Sequence, residues 1–258
     1  MRKSISSHNG LLPLRPELAD YTLRYEDFAR SAEAYLRKEL PADVLLELCA
    51  LALESVIDDA QRKSVHKHRY LANIALGRLY DAMADALAIL REFGDAPLHF
   101  EMMCSLCLKR NNYFRALEYV EKILSWSIER GLDVGTLEAD RAELEKFAAR
   151  IRLFSAEEFS DTIMRLLARE GAAAVRQYAG VPLQITGKAR VNVLPSPRTP
   201  YLIFDTDEAM PKPVYCQMPE NELPFIRHVE EGQRATAFGY LLSVDASKIL
   251  LQPCRLIS

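Results

Sequence analysis

Few residues in this sequence have both the type and the spacing that chemistry needs. Cys104 and Cys107 stand three apart, with His99 five residues before the first of them, a phrase that could ligate a metal or cycle between dithiol and disulfide. A structural zinc needs four ligands, and thiol redox chemistry wants its pair at a helix start. No second cysteine pair exists and these two fall in mid-helix, so packing accounts for them. His66 and His68 lie in a charged run from Arg62 to Arg69. On a helix their rings point about 200° apart, which predicts a solvated face. Asp205, Asp207 and Glu208 could hold a divalent ion weakly and read more simply as loop solubilisers, while Asp58–Asp59 and Glu157–Glu158 are adjacent rather than one turn apart. No phosphate-binding glycine loop, dinucleotide fingerprint, nucleophile elbow or zincin helix is present. The expectation is a chain without catalytic residues, cofactor or metal.

A different set could bind without reacting. Tyr201, Phe204, Tyr215, Phe238 and Tyr240 are aromatics able to stack on bases, and Lys188, Arg190, Arg198, Lys212 and Arg234 are cations able to meet phosphates. In strand alternation Lys188 shares a face with Arg190, and Arg234 with Phe238 and Tyr240. The candidate nucleic-acid-binding residues are therefore Lys188, Arg190, Arg198, Tyr201, Tyr215, Arg234, Phe238 and Tyr240, with the patch centred on the first and fourth strands. The competing account is that this face packs against the helical part of the chain or against a protein partner, since Phe and Tyr on a strand serve either purpose. Asp205, Glu230 and Glu231 nearby would repel a phosphate chain.

The elements that must position these residues change character along the chain. Apolar residues recur at three and four before Gly171, with Pro41 and Pro97 the only prolines after Leu18, and after Gly180 the period becomes two. The helical part reads through Leu71–Leu90, Leu98–Leu108, Tyr113–Glu129 and a long amphipathic run from Leu137 to about Phe154. Asp95 and Pro97 open one helix, and Ser155 with Glu158 forms a capping box for another. From Val181 to Val193 the alternation is nearly complete, and further strands are expected at Tyr201–Asp205, Val214–Met218, Arg234–Val244 and Lys248–Ile257, with a short helix or loop over Pro219–Glu230. The boundary is set at 178/179, with a helical-hairpin domain over 20–178 and a β domain over 179–258. Little Gly, Ser or Pro separates them, so a stiff junction is expected.

Composition narrows the setting. The chain has 33 Lys+Arg against 36 Asp+Glu, and the part after residue 179 is balanced, so neither part is a basic domain and nucleic-acid binding would need a local basic stripe. No run of about 18 apolar residues exists to span a membrane, and Ser4, Ser6, Ser7, His8 and Asn9 stand where a signal peptide would be apolar. Cytoplasm is the expected location. Five cysteines at irregular spacing read as buried small side chains, Cys216 and Cys254 among them, with a disulfide or metal site as the lesser alternative.

Two resemblances sharpen this. Gly77, Leu79, Ala82, Ala86, Ile89 and Leu90 repeat after 34 residues as Asn111, Tyr113, Ala116, Val120, Ile123 and Leu124, and Asn112–Tyr119 resembles the start of the second helix of a tetratricopeptide repeat. Cys104 stands where that family usually has glycine, and an irregular helical bundle is the alternative. Five strands with a helical insert after the third is the layout of an oligonucleotide/oligosaccharide-binding (OB) barrel. Leu183–Ala189, Val214–Met218, Gly232–Gly239 and Leu250–Cys254 resemble the bacterial tRNA anticodon-like branch of these barrels. The fold class expected is thus α+β and multidomain, a tetratricopeptide-like hairpin array followed by a five-stranded antiparallel OB-fold barrel. The resemblance implies a binding face for nucleic acid or another ligand. The leading expectation is a non-catalytic adaptor or scaffold that docks a protein partner on its helices and a ligand or second partner on the barrel. The alternative is a binder of single-stranded DNA, RNA or tRNA-like nucleic acid.

Overall fold

The three-and-four spacing forms helices wherever a local signal opens them. The computed structural model describes residues 25–55, 58–195, 198–206, 212–245 and 247–257. Seven helices come first: α1 (Tyr25–Leu36), α2 (Ala42–Glu54), α3 (Asp59–Ala75), α4 (Leu79–Phe93), α5 (Ala96–Lys109), α6 (Tyr113–Glu129) and α7 (Gly135–Ala148). Asp58 and Gln61 make a capping box at the start of α3, Asp95 accepts from the Leu98 N–H at the start of α5, and Asn112 accepts from the Arg115 N–H at the start of α6. Gly94 ends α4 in the left-handed region at φ 62°, a conformation that glycine adopts without a Cβ clash. Leu79 and Tyr113 each open a helix, and Ala82 and Ala116, equivalent in the 34-residue period, are both fully buried.

The described residues fall into two compact units, the first ending at Leu106 and the second beginning at Cys107, within α5. In the first, Phe28, Leu45, Leu48, Cys49, Ala52 and Val65 form the centre of a core. Helix α3 packs against both α2 and α4, which overturns the solvated face expected for its charged run. His66 is 6 % exposed, and Tyr70 and Asn73 are buried with it, because a helix covered on two sides has to bury polar positions as well as apolar ones. The Tyr70 hydroxyl donates to the Met102 carbonyl.

The second unit holds α6, α7 and the β elements: β1 (Arg152–Ser155), α8 (Ala156–Glu170), the single turn α9 (Ala172–Val175), β2 (Pro182–Pro195), β3 (Arg198–Phe204), β4 (Val214–Gln217), α10 (Leu223–Ile226), β5 (Gln233–Val244), β6 (Ile249–Leu251) and β7 (Arg255–Leu256). The change from helix to strand after Tyr178 follows the switch in period, and the Ser155–Glu158 capping box opens α8 as its spacing predicts. The seven strands form one mixed sheet in the order β1-β2-β3-β4-β6-β5-β7, with β2 also paired to β5. Five antiparallel strands were expected; β1–β2 and β4–β6 are parallel. Strand β1 sits where the helical run was read to continue, and the stretch expected as one fifth strand divides into β6 and β7. Leu183, Ile185, Leu202, Phe204, Val214, Cys216, Ala237 and Leu251 are buried.

Two strand glycines have their reason in close approach. A Cβ on Gly187 would fall 3.0 Å from the Ala156 Cβ at the start of α8, and one on Gly239 would fall 2.5 Å from the Cys254 Sγ. No helix among the described residues is long and apolar enough to cross a membrane.

Candidate functional site

Register decides which of the candidate side chains share a surface. Lys188 pairs directly with Arg234 across β2 and β5, while Arg190 pairs with Ile203 and Asn192 with Tyr201 across β2 and β3. On the far side, Tyr201 pairs with Gln217 and Ile203 with Tyr215 across β3 and β4. Paired residues and residues two apart on a strand point to one face, so Lys188, Arg190, Asn192, Tyr201, Tyr215, Gln217 and Arg234 all lie on it. The opposite face carries Leu183, Ile185, Ala189, Leu202, Phe204, Val214 and Cys216, all buried. Phe204 therefore belongs to the core and not to the set of stacking aromatics.

The aromatic part of the face is the Tyr201–Tyr215 pair. Their rings meet edge to face with centroids 6.1 Å apart, and the Lys248 Nζ lies 5.4 Å from the Tyr215 ring centre. Both tyrosines are half-buried, which leaves ring surface for a ligand. The cationic part is Lys188 and Arg234, both exposed. Like charges directly opposite on a sheet repel each other, and among the described residues neither has a carboxylate partner. Arg190 is different: its Nε donates to both oxygens of Asp205, at 3.2 and 3.0 Å, so its charge is already met.

Two expected members fall elsewhere. Phe238 is 1 % exposed, and its ring is met edge-on by Tyr113 of α6 at 6.2 Å and by Tyr240 at 5.5 Å. Its faces cannot take a base, and half-buried Tyr240 is part of the same cluster. Burial pushes the Tyr113 phenol above its ordinary range, and Tyr240 beside it adds to that. The patch expected on the first and fourth strands is thus split: its Phe238 end is covered by α6, and its open aromatic end lies on β3 and β4. Lys212 ties loops together, its Nζ donating to the Asp245 carbonyl and its own carbonyl accepting from Ser160 Oγ. The Arg198 side chain, Asp207 and Glu208 lie outside the described residues, as do Ser196, Pro197 and the N-terminal stretch from Arg2 to Asn9.

Three contributors were missed. Asn192 and Gln217 flank Tyr201 in register, and strand alternation alone could have found them. Lys248 reaches Tyr215 only because β6 runs parallel beside β4, which no local pattern announces.

The remaining chemical phrases are absorbed by packing. His99 is buried, its Nδ1 2.8 Å from the Ala86 carbonyl; since a carbonyl only accepts, that nitrogen carries the proton. Cys107 is buried and Cys104 half-buried. No group of three or more His, Cys, Asp and Glu side chains among the described residues could hold a metal ion. No protein-family model matches the chain, and no curated protein matches it at a significant level.

Proposed function

We propose that this chain is a non-catalytic binding protein whose sheet is of the OB type and takes a single-stranded nucleic acid across the Tyr201–Tyr215 face. The observation that carries the reading is the opposed pair Lys188 and Arg234, two exposed cations in direct register on the same face as two partly open tyrosine rings. An anionic backbone would relieve their repulsion, and each stacked base would contribute about 1–3 kcal/mol. The OB assignment is supported by the run of pairings from β2 through β3, β4, β6 and β5 back to β2 and by the insertion of α10 between β4 and β5. The tetratricopeptide-like reading of the helices is supported by the matched starts of α4 and α6.

The test is fluorescence anisotropy of the full chain with labelled oligo-dT and oligo-rU at low salt. Binding that weakens steeply with salt is expected. In a Lys188→Ala/Arg234→Ala variant the slope of log affinity against log salt falls by about 1.4, two phosphates at about 0.7 each. Tyr215→Ala lowers affinity with little change in slope. Absence of binding at tens of micromolar for both oligomers overturns the reading.

A second reading follows from the first unit. An open groove lined by Tyr35, Leu36, Leu40, Pro41, Leu71 and Ile74 leaves Leu36 59 % exposed, a surface suited to a protein partner. On this reading the chain is an adaptor, and replacing Leu36 by a charged residue abolishes partner capture while leaving oligonucleotide binding intact.

A further inference from the structure

We propose that the bound strand is read at one position, as adenine, by the carboxamides of Asn192 and Gln217; this rests on the single-stranded nucleic-acid reading and names the base that face selects. Asn192 pairs with Tyr201 across β2 and β3, and Tyr201 pairs with Gln217 across β3 and β4. Paired residues point to one face, so the three side chains form a row across the sheet with the tyrosine in the middle. Asn192 is exposed and Gln217 half-buried. Among the described residues neither carboxamide has a hydrogen-bond partner, so both are free to meet a ligand lying on the Tyr201 ring.

A carboxamide holds a donor beside an acceptor, and it makes two hydrogen bonds to any base edge that does the same. Every base has one such edge. Adenine alone has two, because its N6 amino group stands between the acceptors N1 and N7 and has a hydrogen for each side. On their other edge cytosine and thymine have a ring carbon beside the exocyclic group, and guanine has two acceptors. A base on Tyr201 with its edges toward Asn192 and Gln217 is thus matched at both ends only when it is adenine. The spacing agrees: two strand separations set these residues about 10 Å apart, and two hydrogen bonds of about 3 Å leave about 4 Å, close to the span of a purine between those edges. Lys188 is about 13 Å from Asn192 along β2, where it pairs with Arg234. The two cations therefore meet the phosphate of a neighbouring nucleotide, so the ligand is a strand and not a free nucleotide.

The experiment measures anisotropy of the full chain with labelled oligo-dT and with the same oligomer carrying a single dA, dC, dG or 7-deaza-dA at its centre. The dA oligomer is expected to bind about tenfold tighter than oligo-dT and tighter than the dC and dG oligomers. Loss of N7 in 7-deaza-dA removes about half of that preference on a logarithmic scale. In an Asn192→Ala/Gln217→Ala variant the ratio of the dA to the dT affinity falls to about one. Should that variant not fold, the 7-deaza comparison on the wild-type chain decides alone. Equal binding of all the oligomers overturns the adenine assignment and leaves the nucleic-acid reading standing, whereas no binding of any overturns both. Full preference for 7-deaza-dA, a dA preference that survives in the double variant, or AMP binding as tightly as the dA oligomer each overturns the assignment as well.

Discussion

Asp85 in the first unit and Glu222 in the second are both buried carboxylates held by arginine, and they differ in where their partners come from. Asp85 is 1 % exposed; its Oδ1 accepts from Arg69 Nε at 2.7 Å and lies 3.0 Å from His66 Nδ1, and its Oδ2 accepts from Asn73 at 3.2 Å. Those partners are 16, 19 and 12 residues away, all on α3. Glu222 is 0 % exposed and accepts from Arg110, Arg255 and the Leu256 N–H, each at 3.2 Å. Arg110 lies 112 residues away, and it also donates to the Leu256 carbonyl at 2.6 Å and stacks 3.7 Å from the Phe225 ring centre. A buried polar network fixes one arrangement of the groups that share it; in the Glu222 network the Arg110 Nε is left without a hydrogen-bond partner among the described residues. The Asp85 network therefore fixes the register of one helix pair. The Glu222 network joins the α5–α6 turn, the α10 segment and β7 within a single unit.

The largest effect is expected at Glu222. Replacing it by alanine leaves the partly buried Arg110 and Arg255, with side chains only 13 % and 21 % exposed, without their carboxylate and costs about 3–5 kcal/mol. Arg110→Ala should cost a similar amount, and the double variant much less than the sum, because the two share one interaction. Denaturant unfolding followed by hydrogen exchange locates the damage: faster exchange in α6, β5 and β7, with α3 and α4 unchanged. Exchange that rises equally in the first unit would erase the distinction between the networks.

The same contrast governs what the sequence could reveal. The switch from a period near three and a half to a period of two was legible, because each element type repeats its burial within a few residues. Helix α6 follows Tyr113–Glu129 as read, and the Ser155–Glu158 capping box and the Asp95 signal mark the starts of α8 and α5. Strand β1 was not legible: four residues are too few to show alternation, and Leu144, Ala148 and Ile151 extend the helical spacing into it. Nothing around Glu222 marks it as buried, since the reason is Arg110, and its stretch between Pro219 and Glu230 reads as an ordinary acidic loop. Phe238 failed as a site residue for a related reason: alternation tells which face a side chain is on, but not that α6 covers part of that face. The tyrosine pair lies within the part that alternation and pairing order could reach.

A smaller loss is expected from Asp85→Ala, about 1–3 kcal/mol. Arg69 is partly exposed, at 31 % of its side chain, and can turn to water when its partner is removed. Glu92 also lies 3.8 Å from His66 Nε2 and offers that ring an alternative charge. The loss should appear as faster exchange confined to α3 and α4. An effect as large as that of Glu222→Ala would show that distance along the chain does not set the importance of a buried acid.

The smallest effect is a pH dependence specific to the first unit. His68 lies edge-on to Phe28 with its Nδ1 2.8 Å from the Ser64 carbonyl. Burial, the larger influence, lowers its pKa from the ordinary 6.5; the bond to Ser64 opposes this and Lys67 adds to it. A histidine whose folded pKa is depressed takes up its proton first in the unfolded chain. The first unit should therefore lose stability as pH falls below 6.5 and stop losing it once the folded pKa is passed. Asp95 works lower: its bond to Lys63, the main cause, holds its pKa below 3.8, so its contribution is full above 3.8 and disappears as pH falls through the folded value. Two separate steps are thus expected in the acid titration of α3 and α5 stability. His68→Gln should remove the upper step alone, measured by denaturant unfolding at pH 7 and pH 5. If the upper step survives that substitution, another group in the first unit titrates there, and His68 does not distinguish the acid response of the two units.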